Sequence, residues 1–362
     1  MAAFVVGMSG GVDSSLAAAL LVAAGHRVIG ITLRTAPWHE PDDEAARFGS
    51  CCSPATAMGA RAVARQLGIP YYLLNHEQEF AELVIADFTR EYRAGRTPSP
   101  CVVCNREVKF GTLLRRALAW EADAVATGHY ARVVRDPERG RVLLCRARDP
   151  VKDQSYFLWP LTQAQLERAC FPIGELTKTE VRAKARTLGL ATAETPESQE
   201  LCFVSGDYRE FLRARAPEAF RPGPIVDEGG REVGVHAGLA AYTIGQRKGL
   251  GSGAGDGAPR YVIRLDAERN TVVVGPREAL EASGLLATEV NLVAIERLDA
   301  PLEVEARIRH NAPLVPARLL PQGPGTIEVR FARPQRAVTA GQSVVFYQGD
   351  LVLGGGVIAR PA

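Results

Sequence analysis

Three stretches carry chemistry-bearing side chains at close spacing. The first is Phe4-Val5-Val6-Gly7-Met8-Ser9-Gly10-Gly11-Val12-Asp13-Ser14-Ser15, an apolar run that enters a Ser-Gly-Gly-Val-Asp-Ser turn. An alanine- and leucine-rich stretch then reaches Ala24. Adjacent glycines let a backbone press against a ligand with no Cβ in the way. The first N–H groups of the following helix point into the turn and, with the helix dipole, favour an anion. Ser9, Ser14 and Ser15 add hydroxyl donors, and Asp13 suits a magnesium ion or the helix N-terminus. The chemistry is retention of a phosphate or pyrophosphate. No Gly-Lys-Ser/Thr follows, so the turn is not a Walker loop, and it is not Gly-x-Gly-x-x-Gly either.

The second stretch is Gly95-Arg96-Thr97-Pro98-Ser99-Pro100-Cys101-Val102-Val103-Cys104-Asn105-Arg106-Glu107-Val108-Lys109-Phe110. Two prolines stiffen a loop that presents a Cys-x-x-Cys at a basic helix start. A cysteine there, beside Arg106 and Lys109, is expected to have a lowered pKa and to be nucleophilic. The third is Glu197-Ser198-Gln199-Glu200-Leu201-Cys202-Phe203, a thiol just after a polar loop. A lone Cys-x-x-Cys is also half of a zinc site, but a second pair is missing. Cys145 and Cys170 sit in apolar contexts and read as buried small hydrophobes. Cys51-Cys52 reads as loop structure.

Short apolar runs alternate with helical stretches from the start to about Asp207. Strands are expected at Val28–Leu33, Tyr71–Asn75 and Ala124–Thr127. Helices are expected at Ala55–Leu67, Glu79–Tyr92, Lys109–Trp120 and Thr179–Leu188. This rhythm implies an α/β fold, a doubly wound parallel sheet with helices on both faces. Strand ends near Gly7, Leu33 and Gly128 then line one edge, where such sheets bind nucleotides. After about Tyr208 helical periodicity fades. Tyr261–Leu265 and Thr271–Val274 read as a hairpin, and Gly249–Gly257 as a glycine-rich loop. From Ala287 onward short strands with Gly/Pro turns predict a β-barrel. Three domains follow: 1–207, a small β-rich central domain at 208–284, and a C-terminal β-barrel at 285–362.

Composition narrows the classes. With 362 residues and 46% hydrophobic content, the chain is ample for several cores. Lys plus Arg is 43 against 41 for Asp plus Glu, so any nucleic-acid contact must use local patches. No membrane span is expected, since no apolar run reaches roughly 18 residues. The first strand starts almost at Met1, which predicts no leader and a cytoplasmic protein. Seven cysteines, an odd number unevenly placed, fit reactive or metal-binding thiols better than a disulfide framework.

The glycine turn resembles the pyrophosphate loop (PP-loop) of the ATP-pyrophosphatases, which activate a carbonyl oxygen by adenylation. Several motifs follow it in order. They are the Gly95–Phe110 segment, Ala126-Thr127-Gly128-His129-Tyr130, Lys152-Asp153-Gln154-Ser155-Tyr156-Phe157-Leu158, Cys202-Phe203, Gly245-Gln246-Arg247-Lys248-Gly249-Leu250-Gly251 and Gly341-Gln342-Ser343. Together they resemble the tRNA-uridine 2-sulfurtransferase family over essentially the whole chain. The resemblance implies ATP-dependent thiolation of C2 of the wobble uridine in the anticodon arm of tRNAs for Lys, Glu and Gln. It implies ATP binding by Gly7, Met8, Ser9, Gly10, Gly11, Val12, Asp13 and Ser14, with Leu33 and Gly128 framing the adenosine and magnesium near Asp13. It places Ser99, Pro100 and Cys101 at the target base. His129, Lys152, Asp153, Gln154, Arg309, His310 and Gln342 fall at tRNA-contact positions. Arg247, Lys248, Arg307, Arg309, Arg330, Arg333 and Arg336 offer a further phosphate-tracking set.

Two sulfur chemistries stay open. A persulfide on Cys202 delivers the sulfur and Cys104 breaks the remaining S–S bond. Alternatively, Cys101, Cys104 and Cys202 hold three irons of a [4Fe–4S] cluster and leave one open for sulfide. The donor is accordingly a cysteine desulfurase, a relay protein or sulfide itself. Two departures stand out. Many family members carry Asp where this chain has Cys101, and Gly59 stands where an acidic residue is expected. Rival readings are an ATP-pyrophosphatase-type ligase acting on a small molecule and a non-catalytic RNA-binding module.

Overall fold

The computed structural model describes residues 1–37, 53–196, 201–204, 206–250 and 259–362. They form two compact units. One comprises Met1–Val84, Cys101–Gly206 and Gly349–Leu353, and the other Ile85–Pro100, Asp207–Gln348 and Gly354–Ala362.

In the first unit β1 (Ala3–Gly7) leads through the glycine turn into α1 (Val12–Ala23), then β2 (Arg27–Arg34), α2 (Pro54–Gln66), β3 (Tyr71–Asn75) and β4 (Ala124–Thr127). The sheet runs β3-β2-β1-β4, with the short strand Ala169–Cys170 beyond β4, and every pairing is parallel. Val5 and Val6 point to opposite faces yet both are fully buried, because helices cover the sheet on each side. The order steps outward from β1 to β3 and resumes beyond β1 with β4. The reversal lies between β1 and β4, where the carboxyl ends of such strands open a ligand crevice. Leu16, Ala17 and Leu21 of α1 share one core with Val181 and Ala185 of the helix Lys178–Thr187. That helix starts at a capping box: Thr177 Oγ1 accepts from Glu180 N, and Glu180 Oε2 accepts from Thr177 N at 2.7 Å.

The helix expected at Lys109–Trp120 begins earlier and changes pitch. Pro100–Val103 is α-helical, Cys104–Thr112 is π-wound, and Leu113–Ala119 is α-helical again. The Gln165 side chain donates to Arg106 O at 3.0 Å and Phe110 O at 2.9 Å, which ties down the widened turn. A hairpin, Ala131–Asp136 with Arg141–Arg146, follows β4 and was not anticipated.

The second unit departs from expectation at its start. Where helical periodicity fades, Tyr208–Arg215 is a helix. Asp207 caps it, accepting from Arg209 N at 2.9 Å, and Leu212 is its one fully buried residue. Four strands then form a sheet in the order Tyr261–Asp266, Thr271–Gly275, Gly223–Val226 and Glu232–His236. The expected hairpin is its first pair. Ile225, Tyr242, Val262, Val272 and Val274 make its core. Beyond it Glu281–Leu292, Thr326–Arg336, Val315–Gly323, Leu302–Arg307 and Ser343–Gln348 pair in that order. The last strand returns to Glu281–Leu292, with Leu285 opposite Pro361, and closes a barrel. Among the described residues no helix is long and apolar enough to cross a membrane.

Candidate active site

The turn after β1 is built to close tolerances. Gly10 has φ +77°, and a Cβ there would lie 2.1 Å from the Thr56 carbonyl oxygen. A Cβ on Gly128, just past β4, would lie 2.5 Å from Ser14 N. Two segments far apart in sequence thus meet backbone to backbone at the strand-order reversal. Ser9 N donates to Ser14 Oγ at 3.1 Å, and Ser14 Oγ and Ser15 Oγ donate to Gly11 O at 3.2 and 2.9 Å. No side chain caps α1 at Gly11, so the helix end faces the crevice as bare backbone N–H groups. Met8 N donates to Ile31 O at 2.7 Å, and Met8 O accepts from Thr32 Oγ1 at 2.6 Å, fixing the turn to β2. Leu33 is half-buried near the end of β2, in register with Leu74.

Asp13 is engaged on both oxygens. Lys178 Nζ lies 2.8 Å from each, and Tyr130 OH donates to Oδ1 at 2.8 Å. Lys178 is the first residue of its helix, and its backbone N–H donates to Asp149 Oδ2 at 2.9 Å. Sequence reasoning singled out neither Lys178 nor the hydroxyl of Tyr130. The available signal was the Thr177-x-x-Glu180 capping box, which sets Lys178 at a helix start. Magnesium takes one or two carboxylates together with substrate phosphates. One carboxylate already matched by a lysine fits magnesium that arrives on a nucleotide.

Among the described residues none of the cysteines is in a disulfide. Cys101 is exposed, and Cys104 and Cys202 are half-buried. The expected acidic thiol is not found at Cys101. Desolvation by the surrounding protein pushes this thiol up, and Lys109 only partly opposes it. Burial likewise pushes the thiol of Cys170 up to about 11 and raises that of Cys145. Cys202 lies in a turn closed by Val204 N donating to Leu201 O at 3.1 Å, and the Phe203 ring meets Phe80 edge-on at 5.6 Å. Residues 197–200, Cys51-Cys52 and 251–258 of the glycine-rich loop lie outside the described residues. No three of His, Cys, Asp and Glu gather as metal ligands among the described residues. As placed, Cys101, Cys104 and Cys202 do not form a cluster's ligand set.

The other expected contact residues range from buried to exposed. In the first unit His129 and Asp153 are buried. Asp153 accepts from Ala147 N, Ser155 N and Ser155 Oγ at 3.1, 3.2 and 3.1 Å. Gln154 exchanges two hydrogen bonds with the Tyr130 backbone, at 2.8 and 3.0 Å. Lys152 is half-buried, its N–H on Asp149 Oδ1. In the second unit Gln342 Nε2 donates to both Thr97 O and Pro98 O at 3.0 Å, and so holds the loop that leads to Ser99 and Pro100. Arg309 is exposed and donates to Arg336 O at 3.3 Å, and His310 is half-buried. Arg307 leaves the expected phosphate-tracking set, because it is buried with its guanidinium 5.5 Å from the Tyr347 ring. Arg330 pairs with Glu328 at 2.6 Å. Arg247, Lys248, Arg333 and Arg336 are exposed.

Three family models match the chain. They are described as a tRNA methyl transferase HUP domain at residues 2–206, a tRNA methyl transferase PRC-barrel domain at 209–276, and an aminomethyltransferase beta-barrel domain at 282–358. Curated relatives named tRNA-specific 2-thiouridylase MnmA align end to end. That of Roseiflexus sp. (strain RS-1) is 53% identical over 99% of this chain and 100% of its own. That of Heliobacterium modesticaldum is 52% identical over 98% and 92%. That of Chloroflexus aggregans is 51% identical over 100% and 99%.

Proposed function

The chain belongs to the tRNA-specific 2-thiouridylase family, and from that premise we propose that it uses ATP to exchange O2 of the wobble uridine, position 34, for sulfur in tRNAs for Lys, Glu and Gln. The observation that carries the reading is the uncapped glycine turn at the strand-order reversal, with Lys178 on Asp13 beside it. The matching domain models bear a methyl-transfer description, but methyl transfer has no use for a pyrophosphate cradle or a Cys-x-x-Cys. Oxygen-for-sulfur exchange uses the cradle and a nucleophilic thiol such as Cys104.

Oxide is a poor leaving group, so O2 first attacks the α-phosphorus of ATP. Pyrophosphate departs into the N–H groups of Gly10 to Asp13, and Lys178 supplies a cation beside it. Magnesium comes with the nucleotide. The terminal sulfur of a Cys202 persulfide then adds to C2. Cys104 attacks Cys202 Sγ, the S–S bond breaks, and its electron pair passes to the terminal sulfur. AMP leaves with O2, and C2=S remains. The resulting Cys104–Cys202 disulfide is reduced by an external thiol before the next turnover. The base leaves the anticodon stack to react, at a cost of roughly a few kcal/mol. Residues 1–207 hold this chemistry in the proposal, and 208–284 and 285–362 hold the tRNA.

The test is the 2-thiouridine content of unmodified glutamate tRNA after incubation with ATP, magnesium and sulfide, or with a cysteine desulfurase as donor. Product from iron-free protein with the desulfurase as donor supports the persulfide route, because sulfide alone lacks the oxidation level of a persulfide's outer sulfur. Product only from anaerobically prepared, iron-loaded protein replaces it with the cluster route. No product under any condition, with pyrophosphate release stimulated by a metabolite, returns the chain to the small-molecule ligases.

A further inference from the structure

His129 is held on three sides. It is 8% exposed, the Phe171 ring meets it edge-on at 5.9 Å, and Phe110 lies tilted against it at 6.4 Å. Its Nδ1 is 2.7 Å from Thr127 Oγ1, and its Nε2 is 3.4 Å from Lys109 Nζ. An ammonium only donates, so Nε2 must present its lone pair to Lys109. The ring proton therefore sits on Nδ1 and is donated to Thr127 Oγ1. Burial first, and the Lys109 charge second, hold the imidazole pKa well below its ordinary value. A ring that stays neutral and offers little surface is poorly suited to shuttle protons or grip RNA phosphate. What it has is one acceptor aimed at one lysine.

Thr127 ends β4 at the crevice, so the Thr127–His129–Lys109 chain connects the sheet edge to the π-wound segment that begins with Cys104. We propose that His129 is a positioning residue: its neutral imidazole, locked by Thr127 and two phenylalanine rings, fixes the Lys109 ammonium as the stationary cation for the anion that forms during sulfur transfer. The inference rests on the sulfur-transfer reading above. A neutral acceptor suits this role better than a carboxylate, because it orients the lysine without cancelling its charge. The glutamine side chain is the nearest substitute, since its carbonyl oxygen can take the place of Nε2.

The experiment compares the full-length wild type with His129→Leu, His129→Gln, Lys109→Met and the double variant His129→Leu/Lys109→Met. Readouts are single-turnover thiolation rate, tRNA affinity and tRNA-dependent pyrophosphate release. His129→Leu is expected to slow thiolation about 10–100-fold, the loss of an orienting hydrogen bond to a charge. His129→Gln should recover most of that rate. The double variant should be no slower than Lys109→Met, because both changes remove one function. Affinity and pyrophosphate release should move less than about threefold. Additive losses, or no rescue by glutamine in a protein that folds with wild-type Tm, would overturn the proposal. So would a loss confined to tRNA affinity, which would make His129 an RNA contact. If the wild type makes no thiouridine, the underlying reading fails instead. If His129→Leu does not fold, the Lys109→Met and His129→Gln arms decide.

Discussion

Lys178 Nζ sits 2.8 Å from both carboxylate oxygens of Asp13, 165 residues away in sequence. The anion in the first turn of α1 and the cation that opens a second helix therefore match each other beside the glycine turn. Both remain close to water, with Asp13 the more exposed of the two. An incoming phosphate chain offers Lys178 a second partner.

Lys178→Met is accordingly expected to weaken ATP binding about 10–100-fold, the usual scale for one lost charge-assisted contact. Calorimetric titration with a non-hydrolysable ATP analogue checks it. Unchanged affinity would confine Lys178 to holding Asp13.

Gly128→Ala tests the close approach of β4 to α1. The added methyl would have to displace the Ser14 backbone, which lies 2.5 Å from its position. The expected outcome is a protein that has lost nucleotide binding by more than about tenfold, with a Tm lowered by several degrees. Gly59→Ala is the control, since its nearest neighbour would be 3.5 Å away, an ordinary contact.

Cys202→Ser should retain tRNA binding and abolish thiolation, because a hydroxyl cannot carry a persulfide. Gel-shift and nucleoside analysis measure the two separately. Retained thiolation removes Cys202 from the mechanism.

The depressed pKa of His129 has a signed consequence for stability. Below pH about 6.5 the unfolded chain binds a proton at this residue that the native protein refuses. The native state is thus at full stability above that pH and loses it as pH falls, by at most about 1.4 kcal/mol per unit. His76 and His236, also lowered first by burial, act in the same direction. Urea midpoints between about pH 7 and pH 5 should therefore fall for the wild type and fall less steeply for His129→Gln. Parallel slopes would show that His129 titrates normally.

The parts of the fold that are local in sequence were legible. The Val5-Val6 run, the glycines after it and the hairpin at 261–275 each announce themselves within a short stretch of chain. The parts set by tertiary packing were not. Lys178 finds Asp13 through the packing of two helices, which no spacing encodes. The π winding at Cys104–Thr112 has no signature in its residue types, and the Gln165 side chain that takes up Arg106 O and Phe110 O comes from a distant part of the sequence. The helix Tyr208–Arg215 buries too few residues to show a period, and leans on Arg215 over Phe211 at 3.9 Å and Arg213 over Phe220 at 4.5 Å. At Cys101 the neighbouring cations were visible in the sequence, but the desolvation that outweighs them was not.

The π-wound segment makes residue count as constraining as residue type. At α-helical pitch, positions five apart point about 140° away from each other. At the wider pitch, where bonds run from i to i+5, Cys104 and Lys109 fall about one turn apart. Adding a single residue between them would preserve both in an aligned sequence while swinging the lysine around the helix, whereas removing one would restore α pitch with the two four apart and still about one turn from each other. An insertion here would be read as silent by motif matching, yet it would turn the Lys109 ammonium away from the face that carries Cys104.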